Sequence, residues 1–508
     1  MELAKRLPVI LVAVAVMALG PASSTTAQQT GGSAFSPKQS VSNARATAVL
    51  RRAERVMENP AGRDVTIALS ELVAAIPRLS QPEVNRANAL LARPNDGGND
   101  PQKGGYTVQE AAPFCSSHFC VHYVRTTNDA PDLTDANGNG FPDYAELISV
   151  LAELSYRIEV GRLNWTVPRK DKKIGGSNRT DIYLAQIGNE GLFGYAAIDP
   201  GQATRNKPLK RSLYSYLVVD DNFSRKEFRA APLDSASVTI AHEFNHVLQF
   251  TYDVLQDSWM KESSATWMEN RVFTESDDYL RYLKGWARQT RVPLTKASFP
   301  KLYGSAVWNQ WLGARYGPDI IRGAWERAVN TRPGGFSVDA YGSAIRRAGR
   351  STFERDFTRF AADTAEWNVN RRFPEGRRFP RVKRSGKLRP GGRITRRINH
   401  TAYQLIDVDV PKRARSLRLG AFVDRGTRAA IGLVGRVGKG RRSRIITRFR
   451  FLRSGGSRSI ALGFPGRFRE LTAVLVNTDA TQNGFSGRQG DWRYTRDRVL
   501  FKARLKIR

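Results

Sequence analysis

The sequence predicts an α+β protein in three parts: a helical N-terminal segment, a central domain of strands followed by helices, and a C-terminal antiparallel β-sandwich. Three observations predict it. Apolar residues recur at helical spacing through "ATAVLRRAERVM" and "VTIALSELVAAIPRL". From Tyr106 short β-branched and aromatic runs appear, "FCVHYV", "RTDIYLAQI" and "YSYLVVDD", and from Ser235 long helical patterns follow them. Beyond about Lys387 the helical period gives way to short apolar runs from "AYQLIDVDV" to "RVLFKARLKI", whose regular spacing fits a sandwich. At 508 residues the chain exceeds what one core fills, and the composition shifts place boundaries at 1–27, 28–105, 106–380 and 381–508.

Residues 1–27 read as an export signal. Lys5 and Arg6 lead, "VILVAVAVMAL" is the apolar centre and Thr25-Thr26-Ala27 offers a small-residue cleavage site. That apolar centre is too short to cross about 30 Å of hydrocarbon, so a secreted chain without a transmembrane anchor is expected. Residues 28–105 form the helical segment. It ends in "RPNDGGNDPQKGGY", whose Gly, Pro, Asn and Asp read as a flexible, cleavable linker, so the segment is either a removable propeptide or a plain N-terminal helical domain.

The strand-rich part opens with the chain's two cysteines, Cys115 and Cys120, in "FCSSHFCVHY". An oxidising compartment favours a local disulfide over a metal site built with His118 or His122, and both histidines read as structural.

"TIAHEFNHVLQFTYD" carries the chemistry. As a helix opened by Asp234 or Ser235, it sets His242 and His246 one turn apart on one face, with Ile240, Phe244, Val247 and Leu248 on the other. Two imidazoles at that spacing can bind one Zn²⁺, and Glu243 lies where it can take a proton from water. A catalytic zinc needs a third protein ligand, and no third histidine follows nearby. Glu262 in "DSWMKESSATWMEN" is the choice, because Ser263, Ser264 and Ala265 let a second helix approach closely; Asp253, Asp257 and Glu269 are the alternatives. Glu269 also suits a supporting role, hydrogen-bonded to a ligand.

"DANGNGFPDYAE" fits the twelve positions of a calcium loop: Asp135, Asn137, Asn139, the Phe141 carbonyl, Asp143 and Glu146 supply hard oxygen ligands, and Gly140 permits the sharp turn. A structural Ca²⁺ ahead of a single exiting helix is expected, against the alternative of a metal-free Asx/Gly turn.

These residues resemble the gluzincin zinc metallopeptidases, thermolysin-like in site design. More narrowly, "VHYVRTTNDAP", "DANGNGFPDYAE", "AHEFNHVLQFTYD" and "WMKESSATWMEN", in that order, are similar to a group of secreted bacterial metalloproteases, over about Cys115 to Tyr316. The resemblance implies His242, His246 and Glu262 as zinc ligands and Glu243 as general base. "KLYGSAVWNQWLGARYG" is similar to a helix found after the site in that group, and makes Tyr303 a candidate oxyanion donor, with simple packing as the other reading. The implied activity is endopeptidase cleavage of a protein or peptide substrate. The alternative is a cell-surface or wall-binding protein with a structural or degenerate zinc site.

Charge bears on that alternative. The net charge is +34, and from Gly376 onward 35 Lys and Arg face 7 Asp and Glu. Such a field attracts polyanions, an anionic cell-wall polymer among them. Arginine spread along a strand as in "RSRIITRFRFLR" is no sequence-reading nucleic-acid motif, and the bland reading is a solvated face.

Overall fold

The computed structural model describes residues 37–60, 65–96, 105–328, 336–369, 373–409, 413–438, 443–480 and 497–507; the expected export signal lies outside the described residues. Among those described, no helix is long and apolar enough to cross a membrane. The architecture is mixed α and β, with helices α1 (Pro37–Glu58), α2 (Thr66–Ala75) and α3 (Gln81–Leu90) leading the chain.

A five-stranded sheet follows: β1 (Phe114–Cys115), β2 (Phe119–His122), β3 (Thr180–Ala185), β4 (Gly194–Ile198) and β5 (Ser215–Asp220), in the order β1-β2-β3-β5-β4. The inner strands β2, β3 and β5 run parallel, and β4 pairs antiparallel to β5 as an edge strand. α4 (Asp143–Tyr156) crosses from β2 to β3 and continues into a π-helical stretch over Arg157–Arg162. Cys115 and Cys120 face each other across β1 and β2 and are joined by a disulfide.

After α5 (Arg225–Phe228), the long helix α6 (Pro232–Asp253) packs beneath the sheet, and α7 (Ser258–Val272) packs against α6. α6 starts earlier than the expected Asp234 or Ser235: Ala231 is its N-cap and Pro232 its first residue, where a fixed φ and a missing N–H cost nothing. The expected split into apolar and polar faces is also absent, since α6 is buried all round from Ser235 to Phe250. A helix surrounded by protein needs partners for each polar side chain, and those partners define the site below. Helices α8 (Leu280–Arg288), α9 (Lys301–Gly304), α10 (Ala306–Tyr316), α11 (Asp319–Trp325), α12 (Ser337–Gly349) and α13 (Phe353–Asp363) complete this part.

The C-terminal part is a two-sheet sandwich. One sheet has the order β11-β10-β13-β8-β6, the other β12-β9-β14-β7. The strands are β6 (Arg384–Leu388), β7 (Arg393–Ile398), β8 (Ala402–Val408), β9 (Ser416–Val423), β10 (Ala429–Val437), β11 (Arg444–Leu452), β12 (Gly456–Gly463), β13 (Glu470–Asn477) and β14 (Val499–Ile507). β6 and β7 escape the apolar pattern because "RSGKL" and "RITRRI" are edge strands carrying mostly arginine and small residues. The sandwich is not wholly antiparallel, because β6 runs parallel to β8.

The N-terminal helices do not stand apart. Leu50, Leu69, Leu72 and Leu90 belong to the same continuous core as Ile182, Phe244 and Trp308, while the sandwich interior forms a second core around Leu419, Leu433 and Phe501. The expected linker is anchored at its start: Arg93 is buried and pairs with Asp171 at 3.1 Å, with Asp199 at 2.5 Å and with Asp181. One guanidinium among three carboxylates satisfies charges that burial would otherwise penalise heavily.

Candidate metal centre

The two-histidine helix and its neighbour bring three side chains to one point. His242, His246 and Glu262 are buried, with one ligand atom from each within 4.8 Å of the others, so the trio could hold a metal ion; among the described residues it is the group of this kind. Nε2 of His242 lies 3.3 Å from Glu262 Oε2, and Nε2 of His246 lies 3.5 Å from Oε1. Both carboxylate oxygens of Glu262 are buried without an aligned hydrogen-bond donor, and so is His242 Nε2. Buried polar atoms left in this way are costly, and three converging on one point are what a cation would satisfy.

The opposite ring nitrogens are held. Nδ1 of His242 donates to Glu269 Oε1 at 2.7 Å, and Nδ1 of His246 donates to Gln249 Oε1 at 2.9 Å. A proton fixed on Nδ1 leaves Nε2 directed at Glu262. Gln249 is itself pinned, because its amide donates to Asn245 Oδ1 at 2.7 Å, to the Lys261 carbonyl at 3.0 Å and to Ser264 Oγ at 3.2 Å. Asn245 in turn donates to Glu159 Oε2 at 2.9 Å from the π-helical stretch, and burial raises the Glu159 pKa well above the ordinary carboxylate range. Burial alone would lower the pKa of His242, but the adjacent carboxylates of Glu262 and Glu269, with Glu243 close by, outweigh this and raise it well above the ordinary imidazole value. In the metal-free chain a proton therefore competes for the position a cation would take.

Glu243 faces a small cavity of about 10 Å³, lined also by Phe193, Val238, Thr239, His242, Glu269 and Tyr303. Tyr303 stacks on Tyr282 with ring centroids 5.0 Å apart and lies 6.0 Å from the His242 ring. Above the site runs the edge strand β4, and α2 from the N-terminal segment packs over it. Thr66, the first residue of α2, donates its hydroxyl to Glu243 Oε2 at 3.0 Å and accepts the Ala196 N–H of β4 at 2.9 Å. Ser70 of the same helix accepts from the buried Lys261 at 2.7 Å, whose pKa burial lowers to about 8.

Of the alternative third ligands, neither Asp253 nor Asp257 reaches the trio. Asp253 pairs with Arg211 at 3.2 Å, and Asp257, raised to about 7 by burial, accepts from the Ser337 hydroxyl. His118 and His122 sit elsewhere, bonded to Glu153 at 2.8 Å and to Asp181 at 3.0 Å. In the candidate calcium loop, Asp135 accepts from the N–H groups of Asn139 at 3.1 Å and Gly140 at 2.8 Å, and Asp143 from Ala136 N–H at 3.2 Å. The amides of Asn137 and Asn139 donate to Glu146 at 2.8 and 2.7 Å, and Asn139 Oδ1 accepts from Phe141 N–H at 3.0 Å. Gly140 has φ +91°, which its place in the turn demands.

Thr66, Gln249, Asn245 and Glu159 were not legible as site residues. Gln249 carried a signal, since it lies one turn beyond Asn245 and three residues past His246 on one helix; Thr66 and Glu159 come from distant segments.

Comparison with known proteins adds a family and no activity. No curated protein matches the chain. Residues 228–413, which include His242, Glu243, His246, Glu262, Glu269 and Tyr303, match a family described as "Family of unknown function (DUF6055)".

Proposed function

We propose that the protein is a secreted zinc endopeptidase of the gluzincin type, held latent by its N-terminal helices. The observation that carries this reading is the buried His242, His246, Glu262 trio with Glu243 on the same helix. Bonds of about 2.0–2.1 Å to a tetrahedral zinc place ligand atoms roughly 3.3–3.4 Å apart. The two separations to Glu262 are 3.3 and 3.5 Å. Two imidazoles and a carboxylate, with Nδ1 of each histidine bonded to a second residue, form a donor set that suits zinc and leaves a fourth position for solvent.

Bound zinc would supply Lewis acidity to the scissile carbonyl and to the attacking water. Glu243 then accepts the proton that the water loses as its oxygen bonds to the carbonyl carbon, and delivers it to the leaving amine as the C–N bond breaks. Tyr303, on the wall of the same cavity, offers its hydroxyl to the developing oxyanion. β4 presents an extended backbone beside the site, to which a peptide would add as a further strand.

In the full chain Thr66 holds both groups that such a peptide needs, the Glu243 carboxylate and the Ala196 N–H. A 10 Å³ cavity has room for about one water and excludes a peptide. Removal of α1 to α3 would open the edge strand. A peptide library incubated with full-length and proteolytically trimmed protein tests the reading: cleavage should follow trimming, vanish on chelation and return with added zinc. Zinc-loaded, trimmed protein that cleaves no peptide would leave the binding-protein alternative in its place.

A further inference from the structure

The sandwich sorts its charges between its sheets. The acidic residues within its strands, Asp407 and Glu470, lie in the first sheet and are paired there with Arg384 at 3.1 Å and Arg381 at 3.3 Å. The strands of the second sheet, β12-β9-β14-β7, contain Lys and Arg but no Asp or Glu. Alternation sends Leu419, Phe501 and Ile398 inward and sets Arg393, Arg397, Arg418, Lys502, Arg504 and Lys506 on the exposed face.

The register makes this arrangement unfavourable on its own. Arg504 stands directly opposite Arg393, and Lys506 directly opposite Arg418. Like charges at directly opposed positions, with Cβ atoms about 5 Å apart, destabilise a sheet. None of the six is ion-paired among the described residues. The nearest carboxylate along these strands, Asp424 just past β9, accepts the Leu500 N–H at 2.9 Å. Between the cations lie Gly420, Ser459 and Ala461, so the floor of the face is low.

The basic surface continues round the β12 edge. A groove of about 770 Å³ between the two sheets is lined by Arg444, Arg448, Arg450 and Arg467, and shares Arg418 and Ser459 with the face. Phe464 stands 70% exposed beside it. A planar membrane reaches the face but not the groove, whereas a flexible chain that bends over β12 reaches both. The lining holds no Asn or Gln, so adenine edges would find no bidentate amide reader there.

We propose that this sheet face and its edge groove bind a linear anionic polysaccharide, lying across β14 and β9 and turning over β12. Anions along the polymer neutralise the opposed Arg504–Arg393 and Lys506–Arg418 pairs and release counterions, so affinity falls steeply with salt. The site is separate from the metal centre and does not rest on the reading given to it.

The test compares full-length wild type with four variants on immobilised dextran sulfate across a salt series. Arg504→Glu/Lys506→Glu and Arg448→Glu/Arg450→Glu should each weaken retention by at least about tenfold and flatten the salt dependence. A control of equal charge change on the helical part, Arg347→Glu/Arg355→Glu, should weaken it far less. Arg504→Thr should raise the thermal midpoint in the absence of polymer, because it relieves repulsion, and still weaken binding. Equal loss in the control pair would reduce the surface to diffuse charge and overturn the proposal. Tighter binding to a thymidine oligonucleotide or to phosphatidylserine vesicles than to dextran sulfate would overturn it in favour of those partners.

Discussion

Replacing Thr66 by valine keeps the volume of the side chain and deletes one hydroxyl. That hydroxyl donates to Glu243 at 3.0 Å and accepts the Ala196 N–H at 2.9 Å, and the Thr66 and Glu243 side chains are buried. A buried amide left without a partner costs about 1–3 kcal/mol and a hydrogen bond to a charged group contributes about 1.5–3 kcal/mol, so the docked arrangement should lose on the order of 3 kcal/mol. Since about 1.4 kcal/mol is a factor of ten in an equilibrium, the population with α2 lifted from β4 should rise roughly 100-fold. Only that population can admit a peptide, so zinc-loaded, untrimmed Thr66→Val should cleave a fluorogenic peptide faster than untrimmed wild type, by up to that factor. Trimmed forms of the two should be equal. Limited proteolysis should release the N-terminal segment of the variant more readily. If untrimmed Thr66→Val, with an intact N-terminus and full zinc, turns over no faster than wild type, Thr66 does not hold the protein latent.

Three further outcomes are expected. Gln249→Leu takes the acceptor from His246 Nδ1 and leaves the Lys261 carbonyl and Asn245 without its amide, so zinc affinity measured by chelator competition should fall about 10–100-fold; unchanged affinity would show that Gln249 does not orient the ligand. Millimolar-scale Ca²⁺ should raise the thermal midpoint of chelator-treated, zinc-restored protein by mass action, and Asp135→Ala should abolish the rise; a midpoint indifferent to Ca²⁺ in wild type would make the loop a metal-free turn. Burial lowers the His122 pKa, but its bonds to Asp181 and Glu110 outweigh this and raise it. A raised imidazole pKa adds stability that is fully present below the unfolded value of about 6.5 and is lost as pH climbs through the folded value. The excess thermal midpoint of wild type over His122→Gln should therefore be largest below the unfolded value of about 6.5 and shrink as pH rises through the raised folded value, and a constant excess would contradict it.

The division of the sequence into legible and hidden parts follows the range of the interactions. HExxH carries its own geometry, because residues four apart on a helix must share a face, and a serine- and alanine-rich segment soon after it announced a close second helix. Glu262 could therefore be placed on α7. Apolar alternation marked β8 to β14, but β6 and β7 gave no such sign, because "RSGKL" and "RITRRI" set only Leu388, Ile394 and Ile398 among charged and small residues. The contacts that complete the site are long-range. Thr66 and Glu243 are 177 positions apart, and Asn245 and Glu159 are 86 apart. Arg93 looked like part of a polar linker because three partners, Asp171, Asp181 and Asp199, lie on separate loops and strands. The basic face was visible only as a surplus of charge until strand register placed Arg504 opposite Arg393.

In the proposed enzyme His242, His246 and Glu262 hold the metal and Glu243 acts beside it, and zinc stoichiometry measured together with peptide turnover separates these roles. Glu243→Gln keeps size and shape but cannot accept the water proton, so trimmed protein should retain about one zinc per chain while turnover falls by at least about 10²-fold. Glu262→Ala removes one of three ligands and should lose zinc and turnover together. Full zinc in Glu262→Ala, or undiminished turnover in Glu243→Gln, would contradict the account.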